Sequence, residues 1–260
     1  MKNNIKVYIP FSDRYLNCVE ILKYSIDKYW DKNLDVTIVG YSNPHIDLGN
    51  WKFVSLGVDN GPNQFSKDMH NFFSNIEDEF FIYWNEDWPL IKPVNLELLD
   101  ILIDCLDESV GRLGLTRDIE IRHTPTSNIG YVDFKNINNY NIIELKQDAN
   151  YRNSLLCSIW NRKYFLSKLS DMVYNLISQE ESIKIYGQVY DDTAWGFEMI
   201  QSDRAINDGY KILGSSGNYS VNLCHLYHRG QLKSDWNIDP YTGNTLNQED
   251  YDVIKNILKV

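Results

Sequence analysis

The sequence predicts an α/β fold with a mixed, largely parallel central sheet flanked by helices. Two observations carry that expectation. Over about the first 115 residues, short β-branched and aromatic runs alternate with segments whose apolar residues fall at helical spacing. Turn-forming residues also stand where strand must hand over to helix. The length of 260 residues, with no repeat or low-complexity break, adds room for one sizeable core, so a single domain over residues 1–260 is expected.

The elements follow in order. Ile5-Lys6-Val7-Tyr8-Ile9-Pro10 is a β-rich run that Pro ends, and residues 17–30 carry Val19, Leu22, Ile26 and Trp30 on one helical face. Strands are expected over 35–40 and 51–56. The turn Asn60-Gly61-Pro62-Asn63 then leads into a helix over 65–76. A strand over 79–84, a helix over 96–106 and a strand over 110–115 complete the alternation. The second half, 116–260, is less regular: polar loops near 122–128 and 135–141, helices over 162–169, 170–176 and 193–202, a strand-like run over 219–226, and a Gly-containing tail. In open α/β sheets ligands bind beyond the carboxyl ends of the strands, which directs attention to the loops after Ile9, Val39, Leu56 and Trp84.

Composition narrows the function. A formal charge of −11 argues against a broad phosphate-binding face, so nucleic acid is disfavoured as a partner though still open as an acceptor. Aromatic residues make up 13% of the chain, a supply of faces for sugar rings that serves equally well to fill a core. The start of the chain lacks a signal-like apolar segment, and no run approaches the roughly 18 apolar residues of a membrane span, so a cytoplasmic location is expected. Cys18, Cys105, Cys157 and Cys224 form no Cys-x-x-Cys pair, which disfavours a zinc knot or a disulfide framework. Gly-x-Gly-x-x-Gly, Walker-type and Gly-x-Ser-x-Gly motifs are absent.

Chemistry is concentrated in a few segments. Asn85, Glu86 and Asp87 directly follow an apolar strand, which puts carboxylates in the ligand crevice, where hard oxygen donors favour Mg²⁺ or Mn²⁺. Asp191-Asp192-Thr193-Ala194-Trp195-Gly196-Phe197-Glu198 sets Glu198 beside Trp195 and Phe197, a setting that would desolvate it toward use as a general base; the competing reading is a capped helix start. His225 and His228, three apart, fall on opposite faces if the segment is a strand, so only one would reach a given site. Ser12, Asp13 and Arg14 follow the first strand where base, ribose or phosphate would lie. Ser66-Lys67-Asp68 opens a helix whose amides, with Lys67, would suit phosphate.

Taken in order, these pieces resemble the GT-A glycosyltransferases, whose fold is Rossmann-like: a polar loop after the first strand, Asn85-Glu86-Asp87 in place of the Asp-x-Asp element, Trp195-Gly196-Phe197-Glu198 in place of the acidic acceptor-side element, and a late His. A closer likeness is to small uncharacterised viral and bacterial members, through the Glu-Asp-aromatic turn, the run from Ser154 through Ile159-Trp160-Asn161-Arg162, a Trp-x-x-Glu, and a His before Gly230. The resemblance implies a nucleotide diphosphate sugar donor bound by residues 1–115 and a hydroxyl acceptor (a glycan, a small molecule or a modified nucleotide) on the side of residues 116–260. It also implies a divalent metal held by Asp87 and His225 with help from Glu86. Ser12, Asp13, Arg14, Lys67, Asp68 and Asn85 would lie on the donor, and Glu198 would act as base in direct displacement with inversion. Asn85 departs from the family's first Asp. Two other readings compete: a glycoside hydrolase using Glu86 and Glu198 as its carboxylate pair, and a non-catalytic carbohydrate-binding protein.

Overall fold

The computed structural model describes residues 5–174, 192–203, 208–228 and 231–259. Its centre is a nine-stranded sheet built from β1 (Val7–Pro10), β2 (Val36–Gly40), β3 (Lys52–Ser55), β4 (Phe80–Tyr83), β5 (Val110–Gly114), β6 (Tyr131–Ile137), β7 (Tyr140–Leu145), β8 (Ser158–Asn161) and β9 (Lys211–Ser216). The spatial order is β3-β2-β1-β4-β8-β5-β9-β7-β6. Strands β3, β2, β1 and β4 pair in parallel, β8 runs antiparallel to both β4 and β5, β5 and β9 are parallel, and β7 is antiparallel to β9 and β6. The sheet is therefore mixed, and only β8 and β7 oppose the common direction.

Alternation along the strands sorts side chains into two layers. Val7 and Ile9 of β1, with Val36 and Ile38 of β2, meet Val19, Leu22 and Ile26 of α1 (Leu16–Tyr29) and Leu98, Leu99 and Leu102 of α3 (Leu96–Ile103). On the other face Tyr8, Phe81 and Tyr83 pack with Met69 and Phe73 of α2 (Phe65–Ser74) and with Phe165 and Leu169 of α4 (Arg162–Tyr174). Helices on both faces explain why β1 and β2 are buried throughout. The outer side of α1 carries a third cluster, where Cys18 and Ile21 meet Ile254 and Leu258 of α6 (Gln248–Leu258). A shorter helix, α5 (Ala194–Asp203), follows Thr193, whose hydroxyl accepts from the Gly196 amide at 3.0 Å and so caps it.

Several expectations for the second half are corrected. The presumed loop over 135–141 is the tip of the β6–β7 hairpin. Its two turn residues, Asn138 and Asn139, take φ of 50° and 68°, a left-handed pair that tight hairpins require and Asn tolerates. The run over 219–226 is not a strand of the sheet: it is an extended strap bonded through backbone to the 87–95 segment, with the isolated bridge Leu90 to Leu223, and to Leu115 after β5. Helices 162–169 and 170–176 are one continuous helix, α4, as far as Tyr174; residues 175 and 176 lie outside the described residues, as do Asp191, Arg229 and Gly230.

Candidate active site

The common strand direction brings the ends of β1, β2, β4, β5 and β9 to one edge of the sheet. Because β8 runs the other way, the residues that precede it, Ser154 to Cys157, arrive at that same edge. Most of the candidates discussed below sit on loops at this edge, with Glu198 in α5 and Lys67 and Asp68 in the first turn of α2, and residues far apart in sequence meet there.

The turn after β4 is closed by its own side chains. The Trp84 indole, fully buried, donates to the Trp88 carbonyl at 2.8 Å, and the Trp88 amide reaches the Asn85 carbonyl at 3.3 Å. Asn85, Glu86 and Asp87 are thereby held at the tip of the turn, half-buried. Glu86 Oε1 accepts the Ser12 amide at 3.2 Å, which ties the loop after β1 to the acidic turn. Burial, followed by the negative charge of Asp87, pushes the Glu86 carboxyl up to about 8, against the pull of the Glu86 and Ser12 amides. Burial and the neighbouring Asp87 charge thus both favour the protonated form of Glu86.

The strap over 221–226 lies antiparallel to this turn: the Leu226 amide donates to the Asp87 carbonyl (2.9 Å), the Cys224 amide to Pro89 (3.1 Å), and the Ile91 amide to Asn222 (3.0 Å). This seats the His225 ring flat on Trp88, with centroids 4.0 Å apart and planes 9° apart, and its Nε2 lies 3.3 Å from Asp87 Oδ2. Tyr241 stacks on Trp88 as well, at 5.9 Å and 7°. Since residue 225 is not in a strand, the opposite-faces expectation fails: the rings of His225 and His228 stand edge to face with centroids 6.4 Å apart, and His228 is exposed.

Glu198 reaches the same edge through β8. Its Oε1 accepts the Leu155 amide at 2.5 Å, and the Ser154 hydroxyl also bonds to it. Burial raises its pKa, opposed first by the Leu155 amide and then by the charge of Arg122, the Ser154 bond and Arg112. Trp195 does not supply the expected apolar wall, being 46% exposed; Phe197 is fully buried between Phe65 and Phe165. Tyr83, at the end of β4, lies within the fields of all three carboxylates. Its phenol is driven far up by burial, then by Glu86, Glu198 and Asp87.

Behind Glu198 is a buried ionic group. Asp118 accepts from Arg112 at 3.1 Å and Arg122 at 3.0 Å, and Arg122 also lies 4.8 Å over the Tyr151 ring. Burial alone would raise the Asp118 carboxyl, but the two guanidinium charges hold it below the usual range. The turn carrying Asp118, Arg117–Ile119, sits close because β5 and β9 present bare backbone: a Cβ on Gly114 would fall 2.4 Å from Ile119, and one on Gly214 2.8 Å.

The expected phosphate-binding residues look different in place. Ser12 caps the turn Asp13–Tyr15, and Arg14 is exposed. Asp13 accepts the Ser42 amide at 3.0 Å, and Asp68 accepts the Tyr41 hydroxyl. The Tyr41 phenol is driven up by burial and then by Asp68, with smaller contributions from Asp59 and Asp13, so this corner is acidic and suits hydroxyls better than phosphate. The amides opening α2 are occupied, since Phe65 and Ser66 donate to the carbonyl and carboxylate of Asp192, each at 3.0 Å. Of that segment, Lys67 alone faces outward as a donor. Sequence reasoning did not single out Tyr83, Tyr241, Asp118 or Arg122. The charge pattern Arg117-Asp118 and Arg122 after the 110–115 strand was the available signal for two of these, whereas Tyr241 lies in a tail without one.

No family model matches the chain, and no curated protein matches it. Solved structures of similar shape include a cytidylyltransferase from Leptospira borgpetersenii serovar Hardjo-bovis (10% identity, TM-score 0.37, 70% of each chain covered). Another is the glycosyltransferase GlyE of Streptococcus pneumoniae TIGR4 (10% identity, TM-score 0.43, 80% of this chain and 45% of that one). A third is CMP:2-keto-3-deoxy-manno-octonic acid synthetase complexed with CTP (12% identity, TM-score 0.44, 84% and 93%). At such identities and TM-scores these likenesses carry no argument about chemistry, and the similarity to small viral and bacterial members rests on the sequence motifs alone. No helix among the described residues is long and apolar enough to cross a membrane.

Proposed function

We propose that the chain is a glycosyltransferase that moves a sugar from a nucleotide diphosphate sugar to a hydroxyl acceptor. The observation that supports it is the meeting, at one sheet edge, of the Asp87–His225 pair and of Glu198 held on the lead-in to β8. Asp87 Oδ2 and His225 Nε2, 3.3 Å apart, fit two adjacent positions around one small divalent cation, where donors at about 2.1 Å stand about 3 Å from each other. Among the described residues no group of three His, Cys, Asp or Glu is arranged to hold a metal. The described residues offer these two ligands, and donor phosphate oxygens and water would fill the remaining positions, a common arrangement for Mg²⁺. Bound there, the cation supplies positive charge for the departing diphosphate.

The chain's own groups divide the remaining work. The half-buried Glu198 carboxylate, its inner oxygen fixed by Leu155, accepts the proton of the acceptor hydroxyl as that oxygen attacks the anomeric carbon, giving inversion. Its raised pKa makes it a better base than a solvated carboxylate. Trp88 holds the His225 ring in place by stacking. Asp13 and the loop after β1 face the donor's ribose hydroxyls, with Arg14 and Lys67 at the outer rim.

Thermal unfolding with nucleoside diphosphates, nucleotide sugars and Mn²⁺, alone and in combination, tests the reading. Nucleotide and metal together should raise the midpoint by about 5 °C at a hundredfold excess over Kd, and the metal alone should do almost nothing. Stabilisation by Mn²⁺ alone, or none by any nucleotide, would count against it. Hydrolysis of an oligosaccharide without a nucleotide sugar would favour the glycosidase reading.

A further inference from the structure

Beside the acidic turn lies a second concavity that the reaction as described does not use. It is an open cleft of ≈ 510 Å³ bounded by the turn after β5, the turn after β9, the strap and the 241–244 turn. Its lining includes Arg117, Glu120, Tyr219, Asn222, Thr242 and Asn244. The two sides are tied together: Asn244 Nδ2 donates to Thr242 Oγ1 at 2.8 Å and to Asn222 Oδ1 at 3.4 Å, and the Arg117 guanidinium donates to the Tyr241 carbonyl at 2.5 Å. The wall is thus partly preformed, and Tyr241, stacked on Trp88, joins it to the candidate active site.

The charges in the lining cancel. Arg117 Nε lies 3.6 Å from Glu120, whose carboxylate also accepts the Tyr219 hydroxyl, and the other lining groups are amides, hydroxyls and a glycine. An anionic ligand would find its only cation already neutralised. An apolar ligand would leave the amides unsatisfied. A neutral polyol suits the site, because each hydroxyl both donates and accepts, as Asn side chains do, and adjacent hydroxyls match the paired donors of a guanidinium or amide.

We propose that this cleft binds a neutral saccharide and that, where the chain acts as the transferase described above, the saccharide is the acceptor. The second clause rests on the transferase reading; the first does not.

Saturation-transfer difference NMR on the full chain tests it, with methyl glucoside, methyl galactoside, methyl mannoside, lactose and maltose as probes and glucose 6-phosphate as the anionic comparison. At least one neutral sugar should give a signal that glucose 6-phosphate does not match. The double variant Asn222→Ala/Asn244→Ala should weaken binding at least fivefold. Asn218→Trp, an exposed rim position where added bulk should not disturb folding, should block binding as well. No signal from any neutral sugar, a stronger one from the sugar phosphate, or undiminished binding in Asn218→Trp would each overturn the proposal. Nucleotide stabilisation without saccharide binding would sink this inference and leave the transferase reading standing. Saccharide binding that Asn218→Trp abolishes, in a chain that no nucleotide stabilises, would do the reverse.

Discussion

In the proposed reaction Asp87 and Glu198 carry the charge, and each is tied to its neighbours through a backbone bond, Asp87 by its carbonyl and Glu198 by the Leu155 amide. Asp87 meets the strap through its carbonyl, which accepts the Leu226 amide, so Asp87→Ala removes a carboxylate and leaves that bond in place. The variant should keep its melting midpoint but lose the joint effect of nucleotide and Mn²⁺, along with sugar transfer. Full transfer in the presence of a chelator would end the metal reading. Glu198→Gln retains an oxygen for the Leu155 amide, so donor binding should persist while turnover falls about 10²–10⁴-fold. An unchanged rate constant for transfer in single-turnover kinetics would remove Glu198 as base. The sequence made both residues legible through position: one ends an apolar strand, the other opens a helix beside aromatics. What it could not convey is that Glu198 reaches the crevice by way of Leu155, or that Tyr241 shares Trp88 with His225, because those contacts join segments with no local pattern in common.

At the scale of elements, α6 is fastened to α1 by one buried carboxylate. Asp250 Oδ1 accepts from Lys28 at 2.7 Å and from the Tyr24 hydroxyl at 2.6 Å, while Tyr29 reaches the other oxygen. Burial alone would raise the Asp250 pKa, but these bonds outweigh it and hold it below the ordinary value. A carboxylate depressed on folding contributes its full stabilisation above the unfolded pKa and loses it as pH falls through the folded one. Asp250→Asn should therefore cost about 2 kcal/mol near neutrality, and the gap in melting midpoint from the parent should close below about pH 4. A gap that stays constant down to pH 2 would show that the ion pair does not hold the helix. Local pattern made α1, α2 and α3 readable, since each has an apolar stripe, and Asn95 caps α3 by accepting the Leu98 amide. The Asn138-Asn139 turn was misread because polarity alone resembles a loop, although a left-handed Asn pair is also what joins two strands.

For the whole molecule, the parallel half of the sheet was legible because α1 lies between β1 and β2 and α2 between β3 and β4, each with its own apolar pattern, although a loop joins β2 to β3 and β4 returns to pair with β1. The other half was not: β8 has four residues and pairs with strands that precede it by about fifty and eighty positions, a relation that periodicity cannot express. That insertion has a consequence for how the chain is made. During synthesis β4 emerges with one edge paired to β1 and the other bare, and it stays so until residues 158–161 follow, about 4–16 s later at ordinary elongation rates. An unpaired edge flanked by Phe81 and Trp84 is an invitation to foreign strands in that interval. Ribosome-stalled chains with 150 residues exposed should be cut readily by protease and hold chaperones, and chains with 175 exposed should be markedly more resistant. Equal resistance at both lengths would mean that the first four strands fold without β8.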